Sequence, residues 1–314
     1  MTQPAGGAAG PYAGRTFIII NPAAGQDDPE RLKRSLGAAF AARDAAFDIA
    51  VTEYAGHAAE LARWCATLSY RAVVVVGGDG TLAEAAAGLA GTPTPLAIIP
   101  RGTANQVAQN LRVPLDLELA VDTAINGTVT AVDLGRIDGR VFALVAGAGF
   151  DAAVMAAATR ELKERWGFGA YIYAAVKEAL SATPRRFHLR ADGKEIEVDA
   201  VSVMVANVGE LFSAFIPVRF ALGPRPTSSW QDGLLDVVIL APRKPPDFAM
   251  ILWRAAHRRF PGDDRLIHFQ ASEITIEADP PIAVQIDGDP AGTTPVTAAA
   301  ERSALKVILP SPVP

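Results

Sequence analysis

Short runs of consecutive apolar residues alternate with stretches of helical periodicity over the first third of the chain. Phe17–Ile20, Phe47–Thr52, Ala72–Val76 and Leu96–Ile99 read as strands. Helices are predicted between them. The first runs from Asp28-Pro29-Glu30, with an aspartate N-cap and proline in the first turn, to about Arg43. Others cover Ala58–Leu68, Thr81–Ala90 and a stretch from about Ala104. Apolar strands separated by helices signal a parallel sheet covered on both faces. The pattern predicts an open α/β domain over residues 15–133.

After that the pattern changes. A strand at Val141–Ala146 precedes one long helical stretch, roughly 152–180, interrupted near Gly167 and Gly169. Short β segments follow at Arg186–Arg190, Glu195–Ala206, Leu234–Leu240, Glu273–Ala278, Ala283–Asp287 and Leu305–Leu309, with a turn at Asp192-Gly193. Hairpin-like spacing predicts a β-rich, sandwich-like second domain over 134–310, its last strand free to return to the first domain. A helix between Pro246 and Phe260 is the exception. It carries Phe248, Ile251, Leu252 and Trp253 beside Arg254, Arg258 and Arg259. At about 100° per residue, Met250 and Trp253 fall away from the Phe248–Ile251–Leu252 face. A helix packed in the second domain is therefore favoured over one lying on an anionic membrane.

Composition narrows the class. The 314 residues are 50% hydrophobic and 20% charged, which supports a sizeable core and excludes intrinsic disorder. No apolar run approaches the roughly 20 residues of a spanning helix. Met1–Arg15 lacks the basic and apolar segments of a signal peptide, so a cytoplasmic location is expected. The single cysteine, Cys65, excludes an internal disulfide framework; with Leu61 and Leu68 at helical spacing it reads as a buried, inert thiol. His57, His188, His257 and His268 show no metal-ligand spacing, and the net charge of −5 argues against nucleic acid as a partner.

Candidate chemistry sits in the first domain's loops. Val73–Val76 runs into Gly77-Gly78-Asp79-Gly80-Thr81, and a helix begins at once. Glycines let backbone approach a phosphate, and the first amides of a helix face an anion. An aspartate in that turn repels a bare phosphate but suits one carrying Mg²⁺, which favours carboxylate plus phosphate oxygens. The plain alternative is a turn in which Thr81 and Glu84 form a capping box. Asn21-Pro22-Ala23-Ala24-Gly25 follows the first strand, and Pro100-Arg101-Gly102-Thr103-Ala104-Asn105 follows the fourth. Loops at the carboxyl ends of parallel strands gather at one edge, where ligands bind. Three small-residue loops there make a cradle for a nucleotide triphosphate, or three ordinary βα turns.

Taken in order, these loops resemble the diacylglycerol kinase catalytic domain family, which includes bacterial soluble lipid kinases and sphingosine kinases and is distantly similar to NAD kinases. The resemblance continues through Asp133-Leu134-Gly135, Gly147-Ala148-Gly149-Phe150-Asp151-Ala152, Asp232-Gly233-Leu234-Leu235-Asp236 and Asp287-Gly288-Asp289, covering about residues 15–310. It implies a nucleotide-binding α/β domain, a β-rich second domain and Mg²⁺-dependent phosphoryl transfer from ATP to a lipid hydroxyl. The implied ATP contacts fall on Asn21, Pro22, Ala23, Ala24, Gly25, Thr52, Gly77, Gly78, Asp79, Gly80, Thr81, Glu84, Gly102 and Thr103. A structural metal falls on Asp232 with the carbonyls of Ser229 and Leu234. Catalysis falls on Asp79 and on the 287–289 turn, where Asp289 stands at the position of the family's glutamate base and Asp287 orders the turn or a metal-linked network. Gln106 stands where the family usually has aspartate, which removes one carboxylate near Mg²⁺, and Asp289 is one methylene shorter than glutamate.

The expected protein is an ATP-dependent kinase of a diacylglycerol-like or sphingoid lipid, active in lipid metabolism and phospholipid biosynthesis. Its partners are a lipid substrate and, transiently, a membrane surface; a homodimer is compatible with the sequence. Two rivals remain: a kinase of the same fold on a soluble acceptor, NAD included, and a catalytically weak nucleotide-binding regulator. Gly147–Ala152 fits a dinucleotide fingerprint, but the helical stretch after it lacks the second strand with its acidic end. Gly193-Lys194 is followed by Glu195, so no Walker-type phosphate loop is present, and there is no Gly-x-Ser-x-Gly elbow.

Overall fold

The computed structural model describes residues 12–24, 28–150, 152–153, 183–212, 219–222, 230–244, 246–260 and 262–311. Apart from Ala152 and Ala153, the helical stretch expected over 152–180 lies outside the described residues, as do Gly25, Asp151 and Ser229. The chain forms two compact units, Met1–Ala131 with Ala304–Pro314, and Val132–Ser303.

The first unit is a parallel sheet with helices on it. Strands β1 (Thr16–Ile20), β2 (Phe47–Val51), β3 (Ala72–Gly77) and β4 (Leu96–Pro100) lie in the order β2-β1-β3-β4. Thr16 aligns with Phe47 on one side and Ala72 on the other, and Val73 aligns with Leu96. Every residue of β1, β3 and β4 is buried, which is why they read as unbroken apolar runs. One face packs Ile18, Ile20, Val74, Val76 and Ile99 against Leu36 and Phe40 of α1 (Pro29–Ala41) and Val121 of α5 (Leu117–Asn126). Helix α1 begins as its sequence predicts: Asp28 is the N-cap and accepts from the Glu30 amide. Helix α2 (His57–Thr67) packs on α3 (Asp79–Leu89), and Phe17 meets Trp64 of α2 edge-on at 5.7 Å. Cys65 is fully buried there, and burial pushes its thiol up to about 12, an inert group.

The second unit is a sandwich of antiparallel strands. One sheet runs in the order Leu266–Ala271, Leu235–Leu240, Ser202–Ala206, Val145–Gly149, Ala283–Ile286, Asp289–Thr293. Facing it across a shared core are Lys194–Ala200, Arg185–Ala191, Glu273–Asp279 and the start of Val296–Leu309. Phe142, Phe187, Leu189, Val203, Val237 and Ile274 fill that core. The Arg185–Ala191 hairpin turns at Asp192-Gly193 with φ of 46° and 81°, the pair of positive values a two-residue type I′ turn needs. The last strand pairs with Glu273–Ile276 in this unit, while its end, at Val307, pairs with Leu96 in the first.

Several expectations change. Glu195–Ala206 is two strands, because the chain switches sheets at Val201: Lys194–Ala200 pairs with Arg185–Ala191, and Ser202–Ala206 with Leu235–Leu240. Val141–Ala146 also divides, into Arg140–Phe142 and the start of Val145–Gly149. Helix α5 and the strands Thr128–Ile137 and Leu266–Ala271 come without a sequence expectation. In the helix Asp247–Ala256, Ile251 is buried and Phe248 packs on Phe150 at 4.9 Å, while Met250 and Trp253 are exposed. Among the described residues, no helix is long and apolar enough to cross a membrane.

Candidate active site

The strand order of the first unit reverses beside β1: the chain leaves β1 for β2 on one side and returns to β3 on the other. In an open α/β sheet this reversal marks a crevice outside the carboxyl ends of the strands. Asn21 follows β1 there, and Gly77–Thr81 follows β3. Asn21 Nδ2 donates to Thr81 Oγ1 at 2.7 Å, and Asn21 Oδ1 accepts from the Ala23 amide at 2.9 Å. One side chain thus shapes its own loop and ties it to the next. Pro22 and Ala23 are exposed above it.

The loop after β4 closes the cradle. The Arg101 amide donates to the Gly77 carbonyl at 2.9 Å. A Cβ on Gly102 would lie 2.5 Å from the Gly78 Cα, and one on Gly78 3.1 Å from the Gly102 Cα. Backbone meets backbone, so Gly102 requires glycine, and a side chain at Gly78 would press the facing loop back by a few tenths of an ångström. Asn105 locks the turn from below: its Oδ1 accepts from the Gly102 amide and its Nδ2 donates to the Gly102 carbonyl, both at 2.8 Å, with its own φ at 48°. Sequence reasoning placed Asn105 in this loop without a role; an asparagine three residues after a loop glycine is the signal for such a bracket. Thr103 is exposed at the loop tip.

Asp79 stands in the first turn of α3, and its Oδ1 accepts from the Val107 amide at 3.0 Å. It caps the short helix α4 (Gln106–Asn110), whose own N-cap residue, Asn105, makes no side-chain cap bond. Burial raises the Asp79 carboxyl above the usual aspartate range, and backbone amides at Gln106 and Val107 oppose that rise. A carboxylate that is costly to ionise in the folded chain is one that a divalent cation stabilises. Among the described residues no three His, Cys, Asp or Glu side chains gather to hold a metal. Asp79 therefore suits Mg²⁺ carried on phosphate oxygens, a mode that takes one or two carboxylates rather than a cage.

The capping-box alternative does not hold. Helix α3 starts two residues before Thr81, whose hydroxyl is engaged by Asn21. Glu84 caps a different helix: its carboxylate accepts from the Gly56 amide at 2.8 Å and the Ala58 amide at 3.2 Å, at the start of α2. Thr52 is half-buried, and its amide donates to the Ile20 carbonyl at 2.9 Å, next to Asn21.

In the second unit, Asp287 and Asp289 part ways. Asp287 has φ 49°, and its carboxylate accepts from the amides of Ala143, Leu144 and Val145 at 2.8, 2.9 and 3.0 Å. A carboxylate holding three amides is a turn organiser. Asp289 pairs with Ile286 through its backbone, while its side chain is exposed and makes no hydrogen bond among the described residues. Asp232 Oδ1 accepts from the Leu234 amide at 2.9 Å, and its carbonyl accepts from Arg302 at 2.9 Å. The loop is pinned by Asp133, 2% exposed, whose two oxygens accept from Gly233 and Ser303 amides, both at 2.7 Å.

Comparison with known proteins accounts for both units. The model of the diacylglycerol kinase catalytic domain matches residues 15–137, and that of the YegS C-terminal NAD kinase beta sandwich-like domain matches residues 144–309. A diacylglycerol kinase of Mycobacterium tuberculosis is 31% identical over 251 residues, 76% of this chain and 77% of its own length. An uncharacterised Synechocystis protein is 31% identical over 242 residues, 76% of this chain but 54% of its own length. The crystal structure of a diacylglycerol kinase from Bacillus anthracis superposes with a TM-score of 0.77 at 26% identity, covering 94% of this chain and 97% of that one. The α/β unit with its three tied loops and the antiparallel sandwich are both accounted for, and the chain belongs to the diacylglycerol kinase family of lipid kinases, which are phosphotransferases.

Proposed function

We propose that the protein transfers the γ-phosphate of ATP, in the presence of Mg²⁺, to a hydroxyl of a diacylglycerol-like or sphingoid lipid. The observation that carries this reading is the joining of three loops at the strand-order reversal, through Asn21–Thr81 and Gly78–Gly102. Asn21, Pro22, Ala23, Ala24, Gly25, Thr52, Gly77, Gly78, Gly80, Thr81, Gly102 and Thr103 line or shape the nucleotide cradle, and Glu84 holds the Thr52–Ala58 loop in place. Asp79 meets the metal-bearing phosphates. Bound Mg²⁺ supplies neutralisation of phosphate charge, and the protein's share is positioning, as is usual for phosphoryl transfer.

Asp289 takes the acceptor's proton as the new O–P bond forms and the bond to ADP breaks. Asp287 holds the turn that presents it. Asp232, with the Ser229 and Leu234 carbonyls, holds a structural metal. A lipid acceptor implies transient contact of a cytoplasmic protein with the membrane surface, and a place in phospholipid biosynthesis. Purified protein with Mg-ATP should release ADP only when a dispersed lipid acceptor is added. ADP release with NAD instead would move the reading to the soluble-acceptor branch, and no release with either would leave a nucleotide-binding regulator.

A further inference from the structure

The loop between β2 and α2 carries a feature that the phosphate cradle leaves unused. The Tyr54 ring stacks on the His57 ring with centroids 4.5 Å apart and planes at 6°. Both rings are held: His57 Nδ1 accepts from the Glu53 amide at 3.1 Å, and the Tyr54 hydroxyl donates to Glu60 at 2.7 Å. Nδ1 as acceptor puts the His57 proton on Nε2. Tyr54 is nonetheless 54% exposed, one of the most open large side chains of the described chain. A stacked, fixed and open ring is preorganised for a further flat partner, because little freedom is left to lose on binding.

Its position says which partner. The Thr52 amide bonds the Ile20 carbonyl, beside Asn21, and Glu84 bonds the amides of Gly56 and Ala58 on either side of His57. Glu84 is five residues along α3 from Asp79, about 7.5 Å at 1.5 Å per residue. The aromatic pair's loop is thus tied by three hydrogen bonds, two of them to the Glu84 side chain, to elements that carry the phosphate loops, all within the first unit. A flat, uncharged, aromatic group tethered to phosphates is a nucleobase.

We infer that Tyr54, backed by His57, is the stacking platform for the adenine base of the bound nucleotide. This deepens the nucleotide reading above and rests on it. The platform sets affinity for the base end of the molecule, and the loops at Asn21, Gly77–Thr81 and Gly102 set affinity for the phosphate end.

The test compares Mg-ATP with Mg-tripolyphosphate, which has the phosphates without the base, by titration calorimetry on the full chain. Stacking of a base on an aromatic side chain is worth a loss of about 5- to 150-fold in affinity when the ring is removed. Tyr54→Ala should weaken Mg-ATP by that order and leave Mg-tripolyphosphate unchanged, while Tyr54→Phe should keep Mg-ATP affinity within about twofold. Unchanged Mg-ATP affinity in Tyr54→Ala overturns the platform and leaves the kinase reading standing. Equal weakening of both ligands also overturns it, since the ring would then only support the loop. Absence of Mg-ATP binding to the unaltered protein overturns both.

Discussion

The loops of the first unit and the 285–289 turn of the second both present an aspartate to backbone amides, to opposite effect. Asp79 accepts from the Val107 amide and faces further amides at Gln106 and Asn105, yet burial outweighs them and raises its carboxyl, so its ionised form is held at some expense. Asp287 takes three amides at once and is committed to them. Residue type and a neighbouring glycine are the same in both places. What differs is the balance of amides against burial: at Asp79 burial outweighs the amides, which on the proposed reading leaves the carboxylate for a ligand, whereas Asp287 is bound up in its turn.

The sharpest way to break this comparison lies within the turn itself. Removing a general base lowers the rate by about 10²–10⁴-fold, so Asp289→Ala should lose turnover on that scale under saturating Mg-ATP and lipid, with its melting temperature unchanged. Asp289→Glu, which restores the longer reach, should keep or raise turnover. Full activity in Asp289→Ala would return the base to another carboxylate.

Asp287→Ala should do the reverse, acting first on stability. Three buried amides lose a charged acceptor, a loss of about 3–5 kcal/mol and roughly 10 °C in melting temperature for a unit of this size. Asp287→Asn keeps one acceptor oxygen and should lose less than half as much. Equal melting curves for Asp287→Ala and Asp289→Ala would erase the distinction between the two residues.

These long-range amide bonds are also where the sequence stopped being legible. The first unit's strands could be read because β1, β3 and β4 are buried on both faces, and the Asp28 cap because its partner is two residues away. Val141–Ala146 could not be read as two strands: its middle is bent by a carboxylate more than 140 residues further on. Thr81 and Glu84 looked like a capping box at the right spacing, but their partners are Asn21, Gly56 and Ala58. Local periodicity carries local pairings; it is silent on a side chain that leaves its own helix.

The Asp232 loop tests whether a metal supplements such bonds. A metal present at ten times its dissociation constant adds about 1.4 kcal/mol to the folded state. A chelator should therefore lower the melting temperature by about 3–6 °C, and Mg²⁺ should restore it. A melting curve indifferent to both would leave the Leu234 amide and Arg302 as the loop's holders. Glu84→Ala is the parallel test in the first unit. It should lose about 1 kcal/mol, the usual worth of a cap, with Glu84→Gln keeping most of it, as read by thermal melting.

The smallest expected effect on stability concerns Asp79, and its sign is the informative part. The folded carboxyl titrates above its ordinary value of 3.8 because burial disfavours the charge. A group raised in this way favours the folded state below that ordinary value and loses the contribution as pH rises through the folded pKa. Its ionised form, favoured as pH rises, therefore weakens the fold. Asp79→Asn keeps an oxygen for the Val107 amide and removes the charge. It should melt slightly higher than the unaltered protein at pH 7, the difference shrinking as pH falls towards 3.8, while Mg-ATP turnover is lost. A difference of the opposite sign, or one indifferent to pH, would mean that the amides around Asp79 outweigh its burial. The carboxylate would then be a second turn organiser like Asp287, not a group kept open for the metal-bearing phosphates.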